Sequence, residues 1–155
     1  MPIHVHRRRK DVGHWVLGVL TFKDMCIYIY DSNRGALNDD LVMQALLSHA
    51  FMIPYFLINT GFYGKRNDID WNSDAYIDKA LSDTFDVNLV SGLPHQSDTN
   101  CGAFVTSFAE HFIMGKRIEK KTFDIDTYRL RIGALLWQHG RKKQMLNAVS
   151  DNEVT

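Results

Sequence analysis

Residues 14–31, HWVLGVLTFKDMCIYIYD, decide the fold of this chain. Two runs of strand-forming residues, 14–20 and 26–30, flank a short polar connection. This pattern predicts a β-hairpin. Folding the two runs back on each other about residues 22–25 places His14 opposite roughly residues 31–33. We therefore expect His14 and Asp31 at the same end of one two-stranded ribbon.

A histidine beside an aspartate can supply the general base that a nucleophilic catalytic site needs. The carboxylate would accept a hydrogen bond from one imidazole nitrogen, which sets the tautomer and leaves the other nitrogen free to take a proton. Cys101 stands at the start of a predicted helix, 101–114, where unpaired backbone amides and the helix dipole favour a thiolate. Gln96 lies five residues upstream on a predicted loop, and its amide can donate to an oxyanion. The order His14, Asp31, Gln96, Cys101 thus predicts a Cys-His-Asp site for acyl transfer.

Each of these fragments also has a purely structural interpretation. A lone cysteine on an apolar helix is most often a small buried hydrophobic residue. Asp-Ser after a strand commonly opens a turn, and His-Trp at a strand start commonly packs at an edge. Only the joint presence of the four residues favours catalysis.

The rest of the chain predicts an α+β domain. A helix is expected over 38–53, ended or kinked by Pro54, and a strand over 85–90. A short helix is expected near 74–81 and a long one over about 126–145. Because strands and helices mix without regular βαβ alternation, we assign one α+β domain over 1–149, followed by a polar tail over 150–155.

Composition limits the classes of function. Lys plus Arg and Asp plus Glu number 18 each, so the formal net charge is zero and electrostatics give no reason to expect a nucleic-acid or membrane partner. The basic run RRRK at 7–10 is a local exception, interpreted as solvated chain, with a nuclear or nucleic-acid role as the alternative. The two cysteines lie in no CxxC motif, which disfavours a structural zinc site and fits a reducing compartment.

Two groups of residues could bind metal but do not require it. His4 and His6 could form a pair on a strand face, although a solvated N-terminal arm is the preferred interpretation. Asp68, Asp70 and Asp74 suggest a calcium loop, but the glycine and closing glutamate of an EF-hand are missing from the pattern. We therefore expect no metal and no cofactor.

The ordered set GHWVLGVL, CIYIYDS and LPHQSDTNCGAFVTSFAEHF resembles the ubiquitin-like-protein-specific cysteine protease family over about residues 12–140. These are SUMO- and NEDD8-deconjugating enzymes, and the sequence is most similar to their plant, often transposon-associated, relatives. The resemblance implies a papain-like fold in which helices pack on a mixed sheet. It also implies a cysteine-type peptidase or isopeptidase that cleaves after the C-terminal Gly-Gly of a modifier.

The resemblance assigns roles by position. His14 would be the general base, Asp31 its orienting partner, Gln96 the oxyanion donor and Cys101 the nucleophile. Trp15 would cover a narrow channel for the Gly-Gly tail, which suits glycine because it has no Cβ. The implied partner is a SUMO- or NEDD8-like modifier or its conjugates, bound by a monomer in an intracellular, reducing compartment, with the nucleus suggested by the family alone.

Three departures from the family pattern leave a second hypothesis open. Asn100 replaces the usual aspartate before the nucleophile, and the interval from Gln96 to Cys101 is one residue shorter than usual, so His95 or Ser97 could lie closer. An N-terminal segment that supplies much of the partner surface is apparently missing, which predicts exposed apolar surface. The alternative is therefore a catalytically inactive, truncated relative that binds a ubiquitin-like protein.

Overall fold

The computed structural model describes residues 1–6, 13–97, 100–120 and 123–147. The basic run at 7–10 and the polar tail over 150–155 lie outside these residues. The chain divides into two compact units, residues 1–121 and 122–155. Among the described residues, the first unit contains a sheet of four strands, two α-helices and a 3-10 helix, Tyr63–Lys65, and the second contains one helix.

The strands of the sheet are β1 Pro2–Val5, β2 His14–Thr21, β3 Cys26–Tyr30 and β4 Asp86–Leu89. They lie in the order β1-β2-β3-β4. β1 and β3 run antiparallel to β2, whereas β4 runs parallel to β3. In the central ribbon Thr21 pairs with Cys26 and Leu17 with Tyr30, so the predicted hairpin is confirmed.

The expectation of a solvated arm at the N-terminus is wrong. Residues 2–5 form β1, in which His4 pairs with Trp15 and Val5 with His14. Ile3 and Val5 are buried and alternate with the histidines. This period of two is the pattern of a half-buried strand, and a neighbouring strand was needed to stabilise so short a segment.

Two helices cover opposite faces of the sheet. α1, Ala36–Asn59, buries Val42, Leu46 and Ala50 in one core cluster with Ile29 of β3. The next residue along β3, Tyr30, instead places its ring 6.2 Å from Phe108 of α2, Cys101–Ile113. Successive side chains of a strand point to opposite faces, so α1 and α2 lie on different sides of the sheet.

The prediction that the helix could end at Pro54 is wrong, because α1 continues through this residue to Asn59. A proline has no N–H for the carbonyl four residues earlier, which is the carbonyl of Ala50. That carbonyl instead accepts a hydrogen bond of 3.3 Å from the N–H of Phe85, just before β4. The residue before β4 therefore supplies the donor that the proline removes.

The predicted helix near 74–81 is also absent, since residues 74–78 form turns. The N–H of Tyr76 and of Ile77 both bond to the carbonyl of Ser73. Asp78 then adopts a positive φ of 57°, a left-handed conformation that cannot continue a right-handed helix. The segment is held instead to the turn between β2 and β3 by Tyr76, whose hydroxyl donates to the carbonyl of Phe22.

α1 also presents an apolar surface to solvent, including Leu47, Phe51, Met52 and Phe56. Within the described residues it is the one helix whose length and hydropathy would suffice to cross a membrane, a property that core helices share. The second unit contains α3, Ile125–Met145, close to the predicted bounds. Its N-cap is Asp124, whose carboxylate accepts from the N–H groups of Asp126 and Thr127.

Candidate active site

The end of the central ribbon joins a buried histidine to a buried aspartate. His14 is the first residue of β2, and Asp31 directly follows β3. His14 Nε2 lies 2.6 Å from Asp31 Oδ1, and both residues are at least 98% buried, with exposures of 2% and 1%. A pair this short and this dry keeps most of its electrostatic strength, because water does not compete for either partner.

A tight turn fixes the carboxylate of Asp31. Its Oδ1 also accepts a hydrogen bond of 2.7 Å from the N–H of Asn33, two residues on, which is the geometry of an Asx-turn. The Asn33 carbonyl in turn accepts from the side-chain amide of Asn38 at the start of α1. Asp31 therefore has two roles: it opens the predicted turn after β3, and it is the predicted partner of His14.

The hydrogen bond selects the tautomer of His14. An ionised carboxylate can only accept, so the ring proton must lie on Nε2 and the lone pair of the neutral ring on Nδ1. Nδ1 is then the nitrogen that can take a proton. This arrangement can serve as a general base, with Asp31 stabilising the imidazolium that forms.

Cys101 is the first residue of α2, as predicted, with Asn100 at the N-cap position. α2 packs against β2, the strand that begins at His14. The Cys101 thiol is reduced, and the residue is 8% exposed. Within the described residues Cys101 forms no hydrogen bond to His14. Catalytic hydrogen bonds are often long in substrate-free structures and shorten in the substrate complex.

Gln96 is held by a single neighbour, Ser32. The backbone N–H of Gln96 donates to the Ser32 carbonyl, and the Ser32 hydroxyl donates to Gln96 Oε1. Each of these hydrogen bonds has a donor–acceptor distance of 2.8 Å. Gln96 is half-buried, whereas the alternatives His95 and Ser97 are exposed. The sequence left all three open, and the structure shows that the Gln96 side chain is fixed to the segment that carries Asp31.

Trp15 follows His14 in β2 and is 41% exposed. Its ring packs on His4 of β1 with 4.8 Å between ring centroids. His4 also covers Gly13, where a Cβ would lie 1.9 Å from His4 Nε2. A side chain at position 13 would therefore push His4 away from Trp15.

Cys26, Asp68 and Asp70 have contacts of their own outside the candidate site. Cys26 is buried in β3, and desolvation followed by the nearby charges of Asp86 and Asp24 raises the pKa of its thiol. Asp68 pairs with Arg66, and Asp70 accepts from the N–H of Asn72. The described residues contain no group of three or more metal-ligating side chains.

Sequence reasoning overlooked Ser32 and Asn33. Both belong to the stretch that begins Tyr-Asp-Ser, which was interpreted as a turn opener without a role toward Gln96. The signal available was the position of Ser32 directly after Asp31, because adjacent residues at a strand end point to different partners.

Comparison with known protein families identifies the family of this chain. The sequence matches the Ulp1 protease family, C-terminal catalytic domain, over residues 1–143. Searches of curated proteins and of solved structures gave no match. The family is one of ubiquitin-like-protein-specific cysteine proteases with a papain-like fold, and the mixed sheet with helices on it is consistent with that architecture. As its motifs predicted, the chain belongs to the Ulp1 protease family of cysteine-type peptidases.

Proposed function

We propose that this chain cleaves the bond after the C-terminal Gly-Gly of a SUMO-like modifier, as a peptidase or an isopeptidase. Cys101 is the nucleophile, His14 the general base, Asp31 its orienting partner and Gln96 the oxyanion donor. The observation that carries the proposal is the buried hydrogen bond of 2.6 Å between His14 Nε2 and Asp31 Oδ1. A structural role alone would not require an ionisable pair in so dry a place, since burying charges is costly.

The first half-reaction follows from the tautomer. His14 Nδ1 takes the proton of the Cys101 thiol, and the thiolate attacks the carbonyl carbon of the terminal glycine. The tetrahedral oxyanion receives hydrogen bonds from Gln96 Nε2 and the Cys101 backbone N–H. As the intermediate collapses, the His14 imidazolium returns its proton to the departing amine, and a thioester remains on Cys101.

The second half-reaction restores the enzyme. Water enters as the amine leaves, and His14 Nδ1 removes one of its protons while the oxygen attacks the thioester carbonyl. Collapse breaks the C–S bond, and the proton on His14 returns to the sulfur of Cys101. Trp15, exposed beside this site, forms one wall of the channel that admits only a glycine backbone.

The sharpest test uses the two cysteines as a matched pair. The protein is incubated with SUMO carrying a C-terminal propargyl or vinyl-sulfone group, and the adduct is mapped by mass spectrometry. We expect one adduct at Cys101, lost in Cys101→Ser and retained in Cys26→Ser. A parallel incubation with a NEDD8 probe identifies the preferred modifier. No adduct with either probe, or an adduct that persists in Cys101→Ser, would refute the proposal.

A non-catalytic binding module is the second candidate. It is favoured by Asn100 in place of an aspartate and by the lack of a His14–Cys101 hydrogen bond among the described residues. Titration calorimetry with unmodified SUMO separates the two candidates. Binding with micromolar or better affinity, but no probe adduct and no turnover, would establish the module instead of the enzyme.

We also propose that the protein acts as a monomer in a reducing compartment of the cell, the nucleus being the one the family suggests. Both cysteines are free thiols, and catalysis requires Cys101 to stay reduced. Whether the substrate is a precursor or a conjugate is decided by assaying a C-terminally extended modifier and a lysine-linked conjugate side by side.

A further inference from the structure

We infer that Ser32 is a positioning residue for the proposed oxyanion donor Gln96, an inference that rests on the proposed function. Ser32 is 2% exposed, so its hydroxyl is shielded from water. That hydroxyl donates to Gln96 Oε1 over 2.8 Å. Gln96 lies on a loop, and without such a bond its amide could rotate freely about its side-chain torsions.

The hydrogen bond from Ser32 reaches the oxygen end of the Gln96 amide. Because the Ser32 hydroxyl occupies Oε1, the opposite atom, Nε2, is left as the donor. Within the described residues Nε2 has no protein acceptor, so both of its protons are available to a substrate oxygen. A preorganised donor of this kind stabilises the oxyanion without first having to turn.

A second hydrogen bond holds the backbone of the loop that carries Gln96. The backbone N–H of Gln96 donates to the Ser32 carbonyl, also over 2.8 Å, so one residue holds Gln96 at both its backbone and its side chain. Ser32 directly follows Asp31, which holds His14. In the dipeptide 31–32, Asp31 therefore holds the proposed base, His14, and Ser32 holds the proposed oxyanion donor, Gln96. The base and the donor are thereby fixed relative to each other.

This arrangement separates two measurable steps. Alkylation of Cys101 by iodoacetamide needs a thiolate but no oxyanion donor, whereas hydrolysis of a modifier–aminomethylcoumarin amide needs both. Removing the Ser32 hydroxyl should therefore slow hydrolysis and leave alkylation unchanged. The effect belongs in kcat, because the oxyanion exists only in the transition state and in the intermediate that follows it.

The experiment uses Ser32→Ala and Ser32→Thr in a Cys26→Ser background, so that Cys101 is the one thiol. We expect Ser32→Ala to lower kcat about 10- to 100-fold, somewhat less than loss of an oxyanion donor itself, with KM and the alkylation rate unchanged. Ser32→Thr, which keeps the hydroxyl, should recover most of the activity. Ser107→Ala is the matched control, because Ser107 is also buried and its hydroxyl has no partner among the described residues.

A double-mutant cycle completes the test. In a Gln96→Ala background Ser32→Ala should cost nothing further, because its effect passes through Gln96. Additive losses, an unchanged kcat in Ser32→Ala, or an equal fall in alkylation and hydrolysis would each overturn the inference and leave the proposed function standing. A parent protein without turnover would refute the proposed function, and the role of Ser32 with it.

Discussion

The two cysteines of this protein are almost equally buried, yet their surroundings favour opposite chemistry. Cys26 is 6% exposed and Cys101 is 8% exposed, so accessible surface does not distinguish them. Cys26 lies within β3, where desolvation and the carboxylates of Asp86 and Asp24 raise the pKa of its thiol. Cys101 opens α2, where backbone amides and the helix dipole favour negative charge. The comparison teaches that exposed surface alone does not decide which buried thiol can become a nucleophile, because the backbone and charges around each thiol also contribute.

The largest expected effect would come from removing the charge that orients His14. In Asp31→Asn one atom, at the place of Oδ1, must serve both His14 Nε2 and the N–H of Asn33. An amide oxygen there carries no charge to stabilise the imidazolium, and an NH₂ group there favours the wrong imidazole tautomer and loses the bond from Asn33. We expect kcat for the modifier–coumarin amide to fall about 10³- to 10⁴-fold, as for loss of the aspartate charge in other triads. Circular dichroism and the urea midpoint would check that the fold persists. If the variant hydrolysed the substrate within tenfold of the parent, Cys101 would owe its reactivity to the helix alone.

A core substitution beside Cys26 should lower the stability of the fold and leave kcat unchanged, which is the reverse of the effect expected for Asp31→Asn. Ile27 is fully buried, at 0% exposure, in the core cluster of the sheet and α1. Ile27→Ala should lower the free energy of unfolding by about 2–5 kcal/mol, through lost burial and the cavity left behind. Urea denaturation would measure this, and kcat per folded molecule should stay unchanged.

Leu37→Ala provides the control for that measurement. Leu37 is 85% exposed, so the same chemical truncation should change the unfolding free energy by less than about 0.5 kcal/mol. A fall in kcat in Ile27→Ala under conditions where the protein is fully folded would show that the two thiol environments are coupled through the sheet.

The thiol of Cys26 offers a direct measure of the contrast. In the Cys101→Ser variant, alkylation of Cys26 should be slow at pH 8 and should rise only at a pH above that of an ordinary cysteine, because the raised pKa keeps the thiol protonated. The folded state then prefers the protonated thiol, so this group should also lower stability as pH rises past about 8.5, the usual value for an unfolded cysteine.

Asp86→Asn tests the cause of that shift. Desolvation is the larger contribution and would remain, while the repulsion from Asp86 would be lost. Alkylation of Cys26 should therefore accelerate only modestly and keep a high-pH midpoint. A midpoint at or below that of a free cysteine in the Cys101→Ser variant itself would remove the distinction between the two thiols.

Sequence patterns predicted the parts of this site that depend on local geometry. The two strand-forming runs and the short connection predicted a hairpin with His14 and Asp31 at the same end, and the structure supplied the register, in which Leu17 pairs with Tyr30. The helix start at Cys101 followed from a loop rich in turn-forming residues and an apolar run after it. Both predictions use neighbours within a few residues.

The parts that failed depend on partners distant in the sequence. Pro54 stays helical because Phe85, thirty-one residues later, supplies a donor to the Ala50 carbonyl. β1 forms because β2 is there to pair with it. The link between Ser32 and Gln96 spans sixty-four residues, and no periodicity within either segment points to the other. Tertiary context thus explains each difference between prediction and structure.

The smallest expected effect concerns the ion pair that follows the turn at Asp31. Its loss should disturb neither thiol. Arg34 bonds to Asp39 with N···O distances of 2.9 and 3.0 Å, and this contact lowers the pKa of Asp39. Both side chains are partly exposed, so Asp39→Asn should cost only about 0.5–1 kcal/mol of unfolding free energy at pH 7.

The sign of the pH dependence sharpens that prediction. Because the folded-state pKa of Asp39 lies below its unfolded value of about 3.9, the pair stabilises the protein fully above that pH. The contribution is lost as pH falls through the lowered value, where the parent and Asp39→Asn should converge in urea denaturation. Asp40→Asn, at the exposed neighbouring position, should match the parent at neutral pH. A difference between the parent and Asp39→Asn that persisted in acid would mean that the Asn variant disturbs the turn holding Asp31, and the alkylation rate of Cys101 should then change with it.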